Sequence, residues 1–345
     1  MLKKLAQNHL SRNAYLGLGV IALVLLPWLV GAGGGNYWVR VLDFALLYIV
    51  LALGLNVVVG FAGLLDLGYI AFYALGAYSY ALLASPHLPN HFEVIASAFP
   101  QGLHFSPWMV AIFSIILAAL FGIVLGLPTL QLRGDYLAIV TLGFGEIVRI
   151  TAVNTPSIGG PNGIPGVPNP TPVFGIHFGL DNMKSFFWIV LVLILLVIWM
   201  VRRFSVRRPG RAWEAIRQDE DVAMLMGVST LKYKIWSFVI GAAIGGAAGV
   251  IFASKSMYVA PDMFTFNISI LVLSCVVFGG MGNIWGVIVG GVILAYLPER
   301  IRFISDARQL VFGLALVIIM NVRPDGLLPR KKREKIAKPA GEAKK

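Results

Sequence analysis

Long apolar runs dominate this chain: stretches of about seventeen to thirty residues with few charges recur along its 345 residues. A helix needs roughly 20 apolar residues to cross the hydrocarbon core of a bilayer, where an open loop or strand would leave its backbone unsatisfied. Composition agrees, with 58% hydrophobic and only 13% charged residues, against roughly 25% charged in soluble domains. An ordinary soluble globule is excluded, and an all-α, polytopic transmembrane helical bundle is expected. Candidate spans fall at 14–34, 37–60, 62–84, 107–131, 136–153, 185–201, 236–258, 267–298 and 308–322. Lys3, Lys4 and Arg12 precede the first span as they would a signal peptide, but the run is long and lacks an A-x-A site, so it reads as a retained helix.

Charge sets the expected orientation. Residues 85–106 and 154–183 carry no Lys or Arg, and both should face outside. Arg202, Arg203, Arg207, Arg208, Arg211, Arg217, Lys232 and Lys234 crowd one loop, and Arg330, Lys331, Lys332, Arg333, Lys335 and Lys338 the tail, which should be cytoplasmic. The formal net charge of +12 is thus loop charge facing lipid and cytoplasm, and no nucleic-acid partner is expected. The chain divides into a cytoplasmic N-terminal segment, 1–13, a transmembrane domain, 14–322, with a cytoplasmic loop at about 202–235, and a basic cytoplasmic tail, 323–345. Both termini inside require an even number of spans. The run 267–298 would be about 48 Å long as one helix, too long for a core of roughly 30 Å. Breaking it at Gly279-Gly280-Met281-Gly282-Asn283 gives ten spans and leaves Arg300, Arg302 and Arg308 outside; eight to ten is the expected range.

The outer segment 154–172 carries six prolines and four glycines, which precludes regular helix or strand and leaves either a loose linker or a rigid surface for an external partner. Gly241, Gly245 and Gly249 share one helix face, as do Gly122 with Gly126 and Gly286 with Gly290; they allow close packing or a moving interface. Ionisable residues in spans are costly, so Asp43, Asp66 and Glu146 require an explanation. Glu146 and Arg149, three residues apart, either neutralise each other or face an aqueous path. Asp66, between Gly63 and Gly68, sits where the chain can break and reach water, and it too either lines a path or serves the fold.

Several chemistries lack their residues. No G-x-x-x-x-G-K-[ST] loop occurs, so the chain is not itself the ATPase of a transporter. No metal site is expected: Pro86 and Pro89 should interrupt any helix aligning His87 with His91. Cys275 stands alone, no serine nucleophile elbow is present, and neither an enzyme activity nor a cofactor is indicated.

The most structured polar segment runs from Pro209, suited to a helix start, to Gly227, suited to a stop. Arg211, Glu214 and Arg217 fall on one face, Trp213 and Ile216 on another, and an apolar patch follows at 222–226. Short amphipathic helices result, either resting on lipid or docking a cytoplasmic partner.

This segment resembles the coupling loop of ABC importer permeases, of the form E-A-A-x-x-x-G, with Asp221, Val222, Ala223 and Gly227 in register. Four further stretches are similar to the branched-chain amino-acid permease family and its LivM-type subunit: G-L-N-V-V-V-G-F-A-G-L-L from Gly54, R-G-D-Y-L-A-I-V-T-L-G-F-G-E-I from Arg133, G-G-P-N-G-I from Gly159 and G-G-M-G-N-I-W-G from Gly279. The resemblance implies a multi-pass permease of a bacterial inner membrane, pairing with a sister permease, two cytoplasmic ATPases and an external binding protein, and importing leucine, isoleucine and valine. Where the family commonly has Ser after Gly-Leu-Leu this chain has Asp66, so urea or short-amide transport stays open. A proton-coupled secondary transporter using Asp66 or Glu146 is the competing class. On the importer reading, Arg211, Glu214 and Arg217 are charged contacts to the ATPase, Asp221, Ala223 and Gly227 complete that loop, and Asn56, Asp66 and Glu146 line the path.

Overall fold

The computed structural model describes residues 37–91, 106–172, 183–296, 308–323 and 326–328, together with Pro27, Gly35 and Phe178. Nearly all of candidate span 14–34 and of the basic tail, as well as the segment 1–13, lie outside the described residues.

Helix α1 is the span Tyr37–Phe61, whose last residues, Asn56–Phe61, wind as a π-helix. Then follow α2, Ile70–Ala84; α3, Pro107–Thr129; α4, Asp135–Asn154; and α5, Met183–Val206. Two short helices, α6 (Arg208–Gln218) and α7 (Glu220–Leu225), precede the 27-residue α8, Thr230–Ser256. Helix α9 is Phe266–Gly279, α10 is Ile284–Gly291 with a π-helical continuation Val292–Tyr296, and α11 is Arg308–Val322. Six described segments are long and apolar enough to cross a membrane, and Ile70–Ala84 and Ile284–Leu294 are shorter apolar helices.

One correction to the span boundaries and one expected break have the same cause. The run 62–84 is not one helix: 62–69 is irregular and α2 starts only at Ile70. The run 267–298 does break at 280–283, as its excess length requires. Glycines at both breaks remove the side chains that hold a helix together and permit backbone that other residues avoid. A second correction concerns His87–His91, where one helical turn forms in spite of Pro89; no group of three metal-ligating side chains exists among the described residues.

Helix α8 is the axis of the bundle, packed by α1, α2 and α3. Its glycine stripe is the reason. A Cβ at Gly249 would overlap the Tyr73 carbonyl and sit 2.8 Å from the Ala77 nitrogen, and one at Gly241 would lie 2.8 Å from Val58 Cγ2. Backbones approach to this distance only over glycine, and in lipid such packing replaces the hydrophobic drive of water. Helix α1 has 83% of its apolar window buried, whereas α3 and α4 have 28%; α1 is interior and the other two present broad outer faces.

Contacts give the helix directions. Asp43 meets Lys255 at one end and Val58 meets Gly241 nearer the other, so α1 runs antiparallel to α8. Tyr69 donates to the Gly241 carbonyl at 2.9 Å while Tyr73 faces Gly249, so α2 runs parallel to it. The Lys255 end carries a small antiparallel ribbon, β1 (Ile164–Pro165) with β2 (Tyr258–Val259). The segment 154–172, expected to hold no regular strand, thus contributes two paired residues, and it is pinned as well: Tyr80 donates to the Pro168 carbonyl, Tyr258 to that of Asn162 and Trp108 Nε1 to that of Thr171. Such anchoring is the rigid surface, not the loose linker. The opposite end carries α6 and α7. There the residues after α11 close on α9, Leu327 N donating to Phe278 O at 2.9 Å, which puts the Arg308 end of α11 at the ribbon end.

Candidate functional site

The polar loop is built from the inside out. Helix α6 starts with Pro209 in its first turn and buries Gly210, Ala212, Trp213 and Ile216. Trp213, 1% exposed, donates from Nε1 to the Tyr233 carbonyl at 2.7 Å and seats α6 against the start of α8. Asp219 then breaks the helix and caps the next, its carboxylate accepting from Asp221 N and Val222 N at 3.0 Å each. Ala223 is buried and Gly227 follows α7 with φ +83°.

Two charges from other elements hold this loop. Arg133, in the turn between α3 and α4, donates bidentately to Asp221 at 2.8 and 3.1 Å, and its Nε lies 3.7 Å from Glu220. Lys234, 2% exposed on α8, pairs with Glu220 from the other side. The Arg133 hydrogen bond holds the Asp221 carboxyl below its ordinary value, and Asp221 in turn raises Arg133. The clamp is therefore charged at neutral pH and is lost only as pH falls through the lowered carboxyl value.

Of the residues expected to meet a partner on one face, Arg211 and Arg217 are exposed and Glu214 half-buried. The Arg217 guanidinium, however, turns inward and donates to the Gly60 carbonyl at the end of α1. What the loop presents outward is apolar: Val222 is 53% exposed, Met224 52%, Leu225 86% and Met226 79%. An exposed apolar patch in a charged loop marks an interaction surface.

The three intramembrane candidates sit in different surroundings and are not brought together. Asn56, 0% exposed, accepts from Gly282 N at 2.8 Å and so ties α1 to the break between α9 and α10. Asp66 is in the break before α2 but is 2% exposed, so the break does not carry it to water; its Oδ1 accepts from Gly68 N at 2.9 Å. Glu146 pairs with Arg149 at 2.9 Å on α4, both side chains about a third exposed, 33% and 29%. Asp43 finds its partner in Lys255 at 2.6 Å, the two 0% and 6% exposed. Sequence reasoning gave no role to Lys255 or Arg133 and took Lys234 only as a loop charge, not as the buried partner of Glu220. Lys255 could have been noticed as a charge inside the apolar run 236–258, whereas neither of the others carries a local signal.

Comparison with known proteins agrees with this architecture. The family described as "Branched-chain amino acid transport system / permease component" matches residues 37–320. The high-affinity branched-chain amino acid transport system permease protein LivM of Salmonella typhimurium is 41% identical, covering 98% of this chain and 79% of its own length. That of Escherichia coli is 40% identical over 93% and 76%. The LivH permease of Salmonella typhimurium is 26% identical over 84% of this chain and 93% of its own. No solved structure matches. The chain is a multi-pass helical bundle with the architecture of a permease, and it belongs to the branched-chain amino acid transport permease family.

Proposed function

We propose that this chain is one of two membrane permeases of an ATP-driven importer that moves leucine, isoleucine and valine delivered by an external binding protein. The observation that carries the reading is the α6–α7 loop. Its inner face is anchored to the bundle through Trp213, Lys234 and Arg133, and its outer face offers Val222, Met224, Leu225 and Met226. A loop gripped on one side and apolar on the other suits docking of a separate ATPase subunit, two of which would serve the permease pair. The named function of the LivM and LivH relatives supports the substrate and the sister permease.

Orientation follows from charge: with the Arg- and Lys-rich loop on the cytoplasmic side of a bacterial inner membrane, the ribbon end faces outside and both termini face in. The pinned segment 154–172 then forms part of the surface met by the binding protein. The Glu146–Arg149 pair suggests where solute passes. Charges at mid-span cost about 2.5–3.5 kcal/mol on insertion scales, so a one-third exposed pair on α4 suits water or the sister permease better than lipid. In the cycle we envisage, ATP closes the ATPase pair, the α6–α7 loop moves with it, and the helices alternate between outward and inward access.

Co-expression with the candidate ATPase and sister permease tests this. Co-purification of the ATPase through a tag on this chain, with hydrolysis stimulated by leucine-loaded binding protein, is the expected result. A chain that purified alone and moved solute under a proton gradient would overturn it.

A further inference from the structure

We propose that Arg217 is a transmission residue, not a docking contact: it latches the cytoplasmic loop onto the point where the two helix breaks of the bundle meet. The inference rests on the importer reading above and assigns the route by which loop motion would enter the membrane helices.

Three elements converge within a few side-chain lengths. The end of α1 is π-wound over Asn56–Phe61, a geometry that disturbs the regular i→i−4 ladder and recurs at functional sites. The carbonyl of Gly60, inside this turn, accepts from Arg217 Nη1, and the aliphatic stem of Arg217 lies against Gly63, where a Cβ would be 2.8 Å from Arg217 Cγ. A Cβ at Gly60 would overlap Asn56 Oδ1 and approach Gly282 N to 2.5 Å, so both glycines are needed for the approach. Asn56 Oδ1 accepts from that same Gly282 N at 2.8 Å. One hydrogen bond thus joins α6 to α1 beside the break at 62–69, and a second joins α1 to the break between α9 and α10.

The alternative transmitter is the Arg133–Asp221 clamp. Its partners are 56% and 68% exposed, and an ion pair so placed is worth little because water competes for both charges. The Arg217 contact is part-buried and pairs a cation with a carbonyl, which strengthens the bond. Helix α6 is also fixed to α8 through Trp213. Displacing α6 therefore loads the start of α8 and, through Arg217, the end of α1; these are packed elements that move as bodies instead of deforming.

The test uses the whole complex in proteoliposomes with leucine-loaded binding protein, reading leucine taken up per ATP hydrolysed and the ATPase retained on the tagged chain. For Arg217→Ala we expect the ATPase to stay bound and uptake per ATP to fall about tenfold or more, the loss of one hydrogen bond from a charged donor. Arg217→Lys, which keeps a cationic donor, should restore part of the ratio. Asn56→Ala, remote from the docking surface, should lower it with the ATPase still bound, and it also serves if the arginine variant does not assemble. Loss of the ATPase from an otherwise folded Arg217→Ala chain would make Arg217 a docking residue and overturn the proposal, as would an unchanged ratio in both Ala variants. If the wild-type complex itself shows no ATP-driven uptake, it is the importer reading that fails.

Discussion

Replacing Asp43 by Asn should weaken the bundle far more than removing both members of its ion pair. Asp43 and Lys255 are 0% and 6% exposed and 2.6 Å apart. At an effective dielectric of about 20, charges so close attract by about 6 kcal/mol. Withdrawing each ion from water costs several kcal/mol, so the intact pair is near break-even. Lys255 also lies 4.7 Å from the Phe44 ring centroid, and Asp43 Oδ1 has no hydrogen-bond partner, a further cost to the pair as it stands. In the variant Asp43→Asn the ammonium stays buried beside a neutral amide, and the expected loss is about 3–5 kcal/mol. In Asp43→Leu combined with Lys255→Met, no charge is left to desolvate, and the change should be near zero or stabilising by about 1–4 kcal/mol. Thermal unfolding of the detergent-solubilised chain, with both variants and Lys255→Met alone, gives the comparison. If the double variant were as unstable as either single one, the net worth of the pair would be large and favourable, and this reasoning would be wrong.

Other outcomes follow from the same geometry. Gly249→Val should prevent close packing of α8 on α2, because even a Cβ there overlaps the Tyr73 carbonyl, while Gly143→Ala, with nothing within 4 Å, should be tolerated; yield of monodisperse protein separates the two. Leu225→Asp with Met226→Asp should abolish ATPase capture without changing the melting temperature of the chain, since these side chains are 86% and 79% exposed. A double-mutant cycle on Arg133 and Asp221 should give only a small coupling, one that persists as pH falls from neutral toward the ordinary carboxylate range, because the Arg133 hydrogen bond holds the Asp221 carboxyl below its usual value. A coupling that faded between pH 7 and 5 would contradict that assignment. Gly227→Val should lower transport per ATP: φ is +83° there, so the strain is in the backbone even though space is open around it.

How much was legible beforehand differs between elements. The break at 280–283 could be inferred because 32 apolar residues exceed a bilayer's thickness and four of the five residues from 279 to 283 are Gly or Asn. The break before α2 was harder, since 62–84 is an acceptable length for one span. Glu146 with Arg149 was legible as a local i, i+3 pair and formed as such. Asp66 was correctly placed in a break, yet nothing local says that the break is buried. On α6, the periodicity separated Trp213 and Ile216 from the charged face but did not show that Arg217 would reach back to Gly60, 157 positions earlier.

By itself the sequence determined that the chain crosses a membrane many times, roughly where, and which loops carry positive charge. Span length is a linear measure against a bilayer of known thickness, and loop charge is a count; neither requires knowing who packs against whom. Only the tertiary structure decided that α8 is the axis, that Asp43 answers Lys255 across 212 positions, and that Asn56 bridges to Gly282 across 226. In a soluble helix the apolar stripe announces the buried face. In a membrane helix the lipid-facing side is as apolar as the packed side, so hydrophobicity cannot distinguish them, and the partners emerge only when glycine stripes and buried polar groups meet in three dimensions.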